Sequence, residues 1–195
     1  MIPRPPILVR RGEGFDLSLS SEERALLRSI PSRLEDSLGA LADASVPIPA
    51  ELRRLFPVAF ATDDEAEERY QLNVRADLVE HHRRCLRVLS ETASATYLSD
   101  TEIESWLGAV NDLRLVIGAE LDVSEEPSMP DDDDPNYANW LYYQYLTYLE
   151  SEIVDAIATL LPSPIPGADE FLPEDPWGEP PGGLRWDGTP IPKDL

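Results

Sequence analysis

The chain has little of what most site chemistry requires. Its 195 residues include 1 cysteine, Cys85, and 2 histidines, His81 and His82, which are adjacent. A single cysteine excludes an intramolecular disulfide and a cysteine-rich zinc cage, and fits a reducing compartment. No G-x-S-x-G elbow, P-loop or H-E-x-x-H pattern occurs, so the nucleophile, phosphate cradle and zinc site that those patterns build have no signature here. Carboxylates are plentiful, but an acid pair needs environments that push its two protonation equilibria apart, and acids scattered over solvated faces do not supply them. The expectation is a non-enzymatic protein with no cofactor and no metal. No apolar run reaches the roughly 18 residues of a membrane-spanning helix. The start, MIPRPPILVRR, lacks the charged opening, long apolar stretch and cleavage site of a signal peptide. The expected location is the cytoplasm, with no membrane partner.

Positive charge is also scarce, with 16 Lys+Arg against 38 Asp+Glu and a formal net charge of −22. The imbalance is uneven: residues 1–100 carry 13 basic and 17 acidic side chains, whereas 101–195 carry 3 and 21. DNA affinity depends on cations that displace phosphate counterions, so the carboxyl half repels nucleic acid and any duplex contact falls to the amino half.

What the chain does have is helical periodicity. Residues 7–19 alternate around Arg11-Gly12-Glu13-Gly14 and predict a short hairpin. Ser20 and Glu23 have capping-box spacing, which starts a helix at about 21–38, with Pro31 ending or kinking it and Gly39 closing it. Three prolines in SVPIPAELRRLFPVAF leave room for only a short helical turn at 50–55. A long helix over 63–95 opens on acids and moves to arginines, complementing its dipole, and its stripe reads Val74, Leu78, His81 or His82, Cys85, Leu89 and Thr92. A third, over 99–121, repeats the capping box at Ser99 and Glu102 and is striped by Ile103, Trp106, Leu107, Val110, Leu113, Ile117 and Leu121. Asp134 and Pro135 open a fourth over 135–161, striped by Tyr142, Leu146, Leu149, Ile153, Ala156, Ile157 and Leu160. Residues 162–195 hold 9 prolines and 5 glycines and predict an irregular acidic tail. The fold expected is mainly α: a four-helix-type bundle over 1–161, with a short N-terminal β-hairpin and a proline-rich C-terminal tail.

Candidate site residues follow from this layout. Asp77, His81 and Cys85 share a helix face at four-residue steps, but three ligands on one helix span too far to share an ion, and Cys85 reads as a small buried hydrophobe. The Asp131 to Asp134 run lacks the alternating ligands and glycine of a calcium loop and reads as a capping, solvated segment. Arg83, Arg84 and Arg87, with Arg75 and the hairpin's Arg10 and Arg11, form the basic concentration available for phosphate or partner contact. Their place late in the helix serves the dipole equally well. Between Gly108 and Gly118 stands a polar tetrad, Asn111-Asp112-Leu113-Arg114, beside the core stripe. Such groups need partners, which predicts a structural motif: Asn111 bonding across a close helix crossing and Arg114 pairing with a carboxylate of a neighbouring helix. The aromatic cluster from Tyr137 to Tyr148 is wider than one stripe, which marks Trp140 and Tyr143 as a partner surface.

The tetrad within WLGAVNDLRLVIGAEL, taken with RRLFPVAF and SEERALLRSIPSRLEDSLG, resembles the actinobacterial oxidative-stress transcriptional regulator family, the AosR-like proteins long catalogued as a domain of unknown function. The resemblance covers about residues 13–161, with helix three its most specific part. It implies a transcription-associated role in the oxidative-stress response, through contacts with the RNA polymerase machinery and a sigma factor. It also brings thiol-pair sensing, which does not carry over, because Cys85 has no partner cysteine in the chain; oxidation of Cys85 or cross-linking of two chains is the redox role left to it. The acidic exterior favours a module that meets a protein and reaches DNA through it. The alternative is a constitutive helical adaptor or scaffold with no transcriptional role, docking through its tyrosine-rich fourth helix. Direct DNA binding through the arginine helix is the third reading, and the sequence leaves a homodimer open.

Overall fold

A computed structural model describes residues 5–123 and 129–159. The chain separates into Met1–Leu160 and Leu161–Leu195, and the tail expected over 162–195, like Leu160, lies outside the described residues.

Strands β1 (Leu8–Arg11) and β2 (Gly14–Leu17) pair antiparallel with Arg11 opposite Gly14. Gly12 turns the corner at φ 59°, a left-handed conformation that glycine adopts without steric penalty. A two-stranded ribbon is marginal, and the structure adds a third strand that periodicity did not predict. This strand, β3 (Tyr97–Ser99), pairs antiparallel with β2 through Gly14 and Ser99, Phe15 and Leu98, and Asp16 and Tyr97. A side chain at Gly14 would collide with the Leu98 carbonyl, so the approach of β3 requires glycine there.

Helix α1 (Ser21–Gly39) starts at a complete capping box, with Ser20 accepting from the Glu23 amide and the Glu23 carboxylate accepting from the Ser20 amide. Pro31 neither ends it nor faces solvent; it lies inside the helix on the buried face with Leu27, Leu34 and Leu38. Helix α2 (Asp64–Thr92) is capped by Asp63, and beyond its end the Arg24 guanidinium donates to the carbonyls of Ala93 and Ala95. Helix α3 (Asp100–Glu120) opens on the second capping box, Ser99 with Glu102. Helix α4 (Tyr137–Ala158) begins later than Pro135 because Asp134 first makes a turn, its side chain accepting from the Asn136 amide and its carbonyl from the Tyr137 amide.

Two expected stripes differ mainly in their first turns: Cys85 and Leu89 on α2, and Leu146, Leu149, Ile153 and Ala156 on α4, are buried as expected. On α2 the buried residues are Arg75, Val79, Cys85, Leu86 and Leu89, with Arg75 and Val79 one position on from Val74 and Leu78. The cause is Arg75, only 4% exposed, which donates to the carbonyls of Ala44 and Val46 and sits over the Phe56 ring. It takes a core position that a hydrophobicity pattern cannot assign to an arginine, and it is therefore no part of an outward basic face. On α4, Trp140 is buried at 7% while Tyr142, expected inside, is 38% exposed.

Helix α3 is the spine, with Ile103, Trp106, Ala109, Val110, Leu113, Val116 and Ile117 buried among its neighbours. The Trp106 indole donates to Thr92 at 2.7 Å, joining the end of α2 to the middle of α3. Helix α2 packs on one flank of α3 and α4 on another, while α1 packs on α2. A short 3-10 helix, Ala50–Leu55, lies on α3. Helices α1 and α4 do not pack along each other, so the bundle keeps an open seam above α3. No helix among the described residues is long and apolar enough to cross a membrane.

Candidate functional site

Two features of α3 draw together the residues singled out by the sequence. The first is a buried polar knot against α2. Asp112, 4% exposed, places Oδ2 2.7 Å from His82 Nδ1. Burial works against a charged imidazole, but the Asp112 hydrogen bond, its negative charge and the Leu55 backbone outweigh it, so the His82 pKa is raised. The Phe56 ring meets His82 edge-on at 5.8 Å, which closes the knot with the segment that follows the 3-10 helix.

Cys85 lies in the same crossing, 5% exposed, with Sγ 3.8 Å from His81 Nε2. Gly108 makes that closeness feasible, since a Cβ there would stand 3.2 Å from Sγ. Burial pushes the thiol pKa up and the Asp112 charge adds to this, against a smaller effect of Arg84. A protonated, shielded thiol is a poor nucleophile. Asp77 and His81 face solvent, and no group of three metal-ligating side chains is found among the described residues.

The rest of the tetrad points elsewhere. Arg114 Nε stands 2.7 Å from Glu150 Oε2 on α4, so Asp112 and Arg114 tie α3 to opposite neighbours. The Asn111 side chain is half-buried and makes no hydrogen bond among the described residues.

The arginines do not form one free basic face. Arg83 and Arg87 stand 3.8 and 3.9 Å from the same carboxylate oxygen of Glu35 on α1, while Arg84 is exposed. Arg10 pairs with Asp100 and lies over the Phe15 ring, and Arg11 pairs with Asp16. Trp140 and Tyr143 stack on each other at 5.9 Å. With Trp140 buried, the outward residues on that turn of α4 are Leu141 and Tyr142.

The second feature is the open seam, a cavity of about 330 Å³. Its floor is Leu113, Val116 and Ile117 of α3, and its walls carry Ile30 and Leu34 of α1, Leu52 of the 3-10 helix and Tyr142 of α4. Arg33 reaches Glu120 at 3.4 Å across one rim. Leu113 and Ile117 are buried as their stripe predicts, but periodicity did not show that a cavity opens over them. Leu115 and Val116 are apolar residues off the predicted stripe, a sign that α3 carries hydrophobic side chains in more than one direction. Chemically, the seam is equipped to bury apolar surface inside a rim that sets orientation.

Against known proteins, no solved structure matches the chain. It is 25% identical to the oxidative stress regulator AosR of Mycobacterium bovis and, equally, to AosR of Mycobacterium tuberculosis, over 74% of this chain and 83% of those proteins. These are similar to the family that the helix-three motif suggested. Residues 4–157 match the family described as Domain of unknown function (DUF2017), a span that takes in the sheet, the knot, the seam and nearly all of α4, and the chain therefore belongs to the DUF2017 family.

Proposed function

We propose that this protein is a non-enzymatic regulator of the oxidative-stress response that works in the cytoplasm by binding a protein of the transcription machinery, RNA polymerase or a sigma factor. The observation that carries the reading is the seam: a cavity of about 330 Å³ with an apolar floor on α3, rimmed by the half-buried Ile30 and the exposed Tyr142. The process is supplied by the likeness to AosR, named as an oxidative stress regulator. Arg83 and Arg87 are engaged with Glu35, which favours a protein partner over a duplex as the first contact. Buried Cys85 favours regulation through binding over a thiol switch in this chain.

The test is reconstitution with purified RNA polymerase core and individual sigma factors, read by co-elution in size-exclusion chromatography. The full chain is expected to co-elute with one of them, and both Ile30→Glu and the exposed Tyr142→Glu to abolish this, the second without lowering the unfolding temperature. A chain that elutes alone from every component sinks the transcriptional reading. Binding that survives either substitution removes the seam from it.

A further inference from the structure

We infer that the seam between α1 and α4 takes a basic amphipathic α-helix from another protein, which lies on α3. The inference rests on the reading of the seam as a protein-binding face and adds the occupant's shape and charge.

The shape follows from the spacing of the walls. On α1 the seam is lined at Ser29, Ile30, Arg33, Leu34 and Ser37, and on α3 at Leu113, Val116, Ile117 and Glu120. Both sets recur at three- and four-residue steps along their helices, so each presents about two turns of helical ridge. Ridges at that spacing make grooves that receive the same ridges of another helix. An occupant lying on an apolar floor must also satisfy its own backbone amides and carbonyls. The described elements that line the seam are helical, which offers an incoming strand no ladder, and a helix satisfies those groups internally.

The charge follows from the rim. The charged residues lining the seam are Arg33, Glu51 and Glu120, and Arg33 is already engaged with Glu120, which leaves Glu51 exposed and uncompensated among the described residues. In the segment before α4, which carries the wall residues Asn139 and Tyr142, Asp131, Asp132 and Asp133 are all exposed. The wider field has the same sign, with a net charge of −22. Lysines and arginines on the occupant's outward flanks meet these carboxylates, which raises the encounter rate and selects against acidic helices.

The experiment uses the purified full chain and a displayed library of helical peptides with a fixed apolar stripe and all other positions randomised. Peptides rich in Lys and Arg are expected to be enriched over acidic ones. Their affinity is expected to fall by at least about tenfold in Ile30→Glu and in Tyr142→Glu, since each puts a charge on the apolar contact. Hydrogen exchange with the best peptide bound is expected to slow on the facing turns of α1 and α3. No enrichment, enrichment of acidic peptides, or binding that both variants retain overturns the proposal. No transcription component takes part, so the two ideas fail separately. Selection of basic helices with no polymerase or sigma co-elution leaves this proposal standing and removes the transcriptional one; the reverse result removes this one.

Discussion

On the flank of α3 that meets α2, Asp112 and Gly108 face His82 and Cys85 in a closed crossing; on the flank beneath the gap between α1 and α4, Leu113, Val116 and Ile117 form the floor of an open cavity. Neighbouring residues of one helix thus serve opposite ends. The closed flank holds polar groups, which fix a unique alignment because they are destabilising unless each meets its partner. The open flank holds apolar groups, which accept any partner of the right shape and so leave identity to the charges around them. A buried polar motif therefore marks where this protein is fixed, and its apolar gap marks where it is receptive.

That contrast breaks most visibly at Asp112. Asp112→Leu leaves His82 without its carboxylate and is expected to lower stability by about 3 kcal/mol, read as the shift of the urea midpoint. Tyr142→Glu on the open flank is expected to shift it by less than about 0.5 kcal/mol. Equal shifts would mean that both flanks belong to the folding core.

Gly108→Ala comes next. The added methyl stands 3.2 Å from Cys85 Sγ, and its overpacking, about 2 kcal/mol, is expected to outweigh the roughly 1 kcal/mol that alanine gains over glycine inside a helix. Cys85→Ala in the same chain should return part of that loss, because the two changes share one contact, and the coupling is measured by a double-mutant cycle. Strict additivity would show that the crossing yields at some other point.

The gentlest test is pH. The folded-state pKa of His82 is raised from 6.5, so folding binds the proton more tightly than the unfolded chain does. The corresponding stability is fully present below about pH 6.5 and is lost as pH rises through the higher folded value. Urea midpoints taken across this window should fall in the parent chain, and the fall should shrink in His82→Gln. An unchanged slope in that variant would place the titration elsewhere.

Much of the fold was legible because its signals are local. The capping boxes at Ser20 with Glu23 and Ser99 with Glu102, and the glycines of the first turn, act within a few residues and set element starts closely. What escaped depended on distant partners. Strand β3 is three residues long and exists because β2 is there to pair with it. Arg75 is a core residue only because the carbonyls of Ala44 and Val46 reach it. At the site, Asp112 was marked as a polar group that needed a partner, but choosing His82 over His81 required the true phase of α2, which Arg75 had disguised. The seam was invisible for a different reason: periodicity reports which residues are apolar, and cannot report that a neighbour stops short of covering them.

Ser99 closes the pairing of β3 with Gly14 and also caps α3. One residue thus belongs to the longest-range backbone pairing of the amino-terminal sheet and to the first turn of the central helix. During synthesis the hairpin emerges early but waits for its third strand until Ser99 has left the ribosome, and that same moment supplies the nucleus of α3. Closing so long a loop is slow compared with winding a helix. The sheet pairing is therefore expected to form more slowly than the helix that the same residue caps.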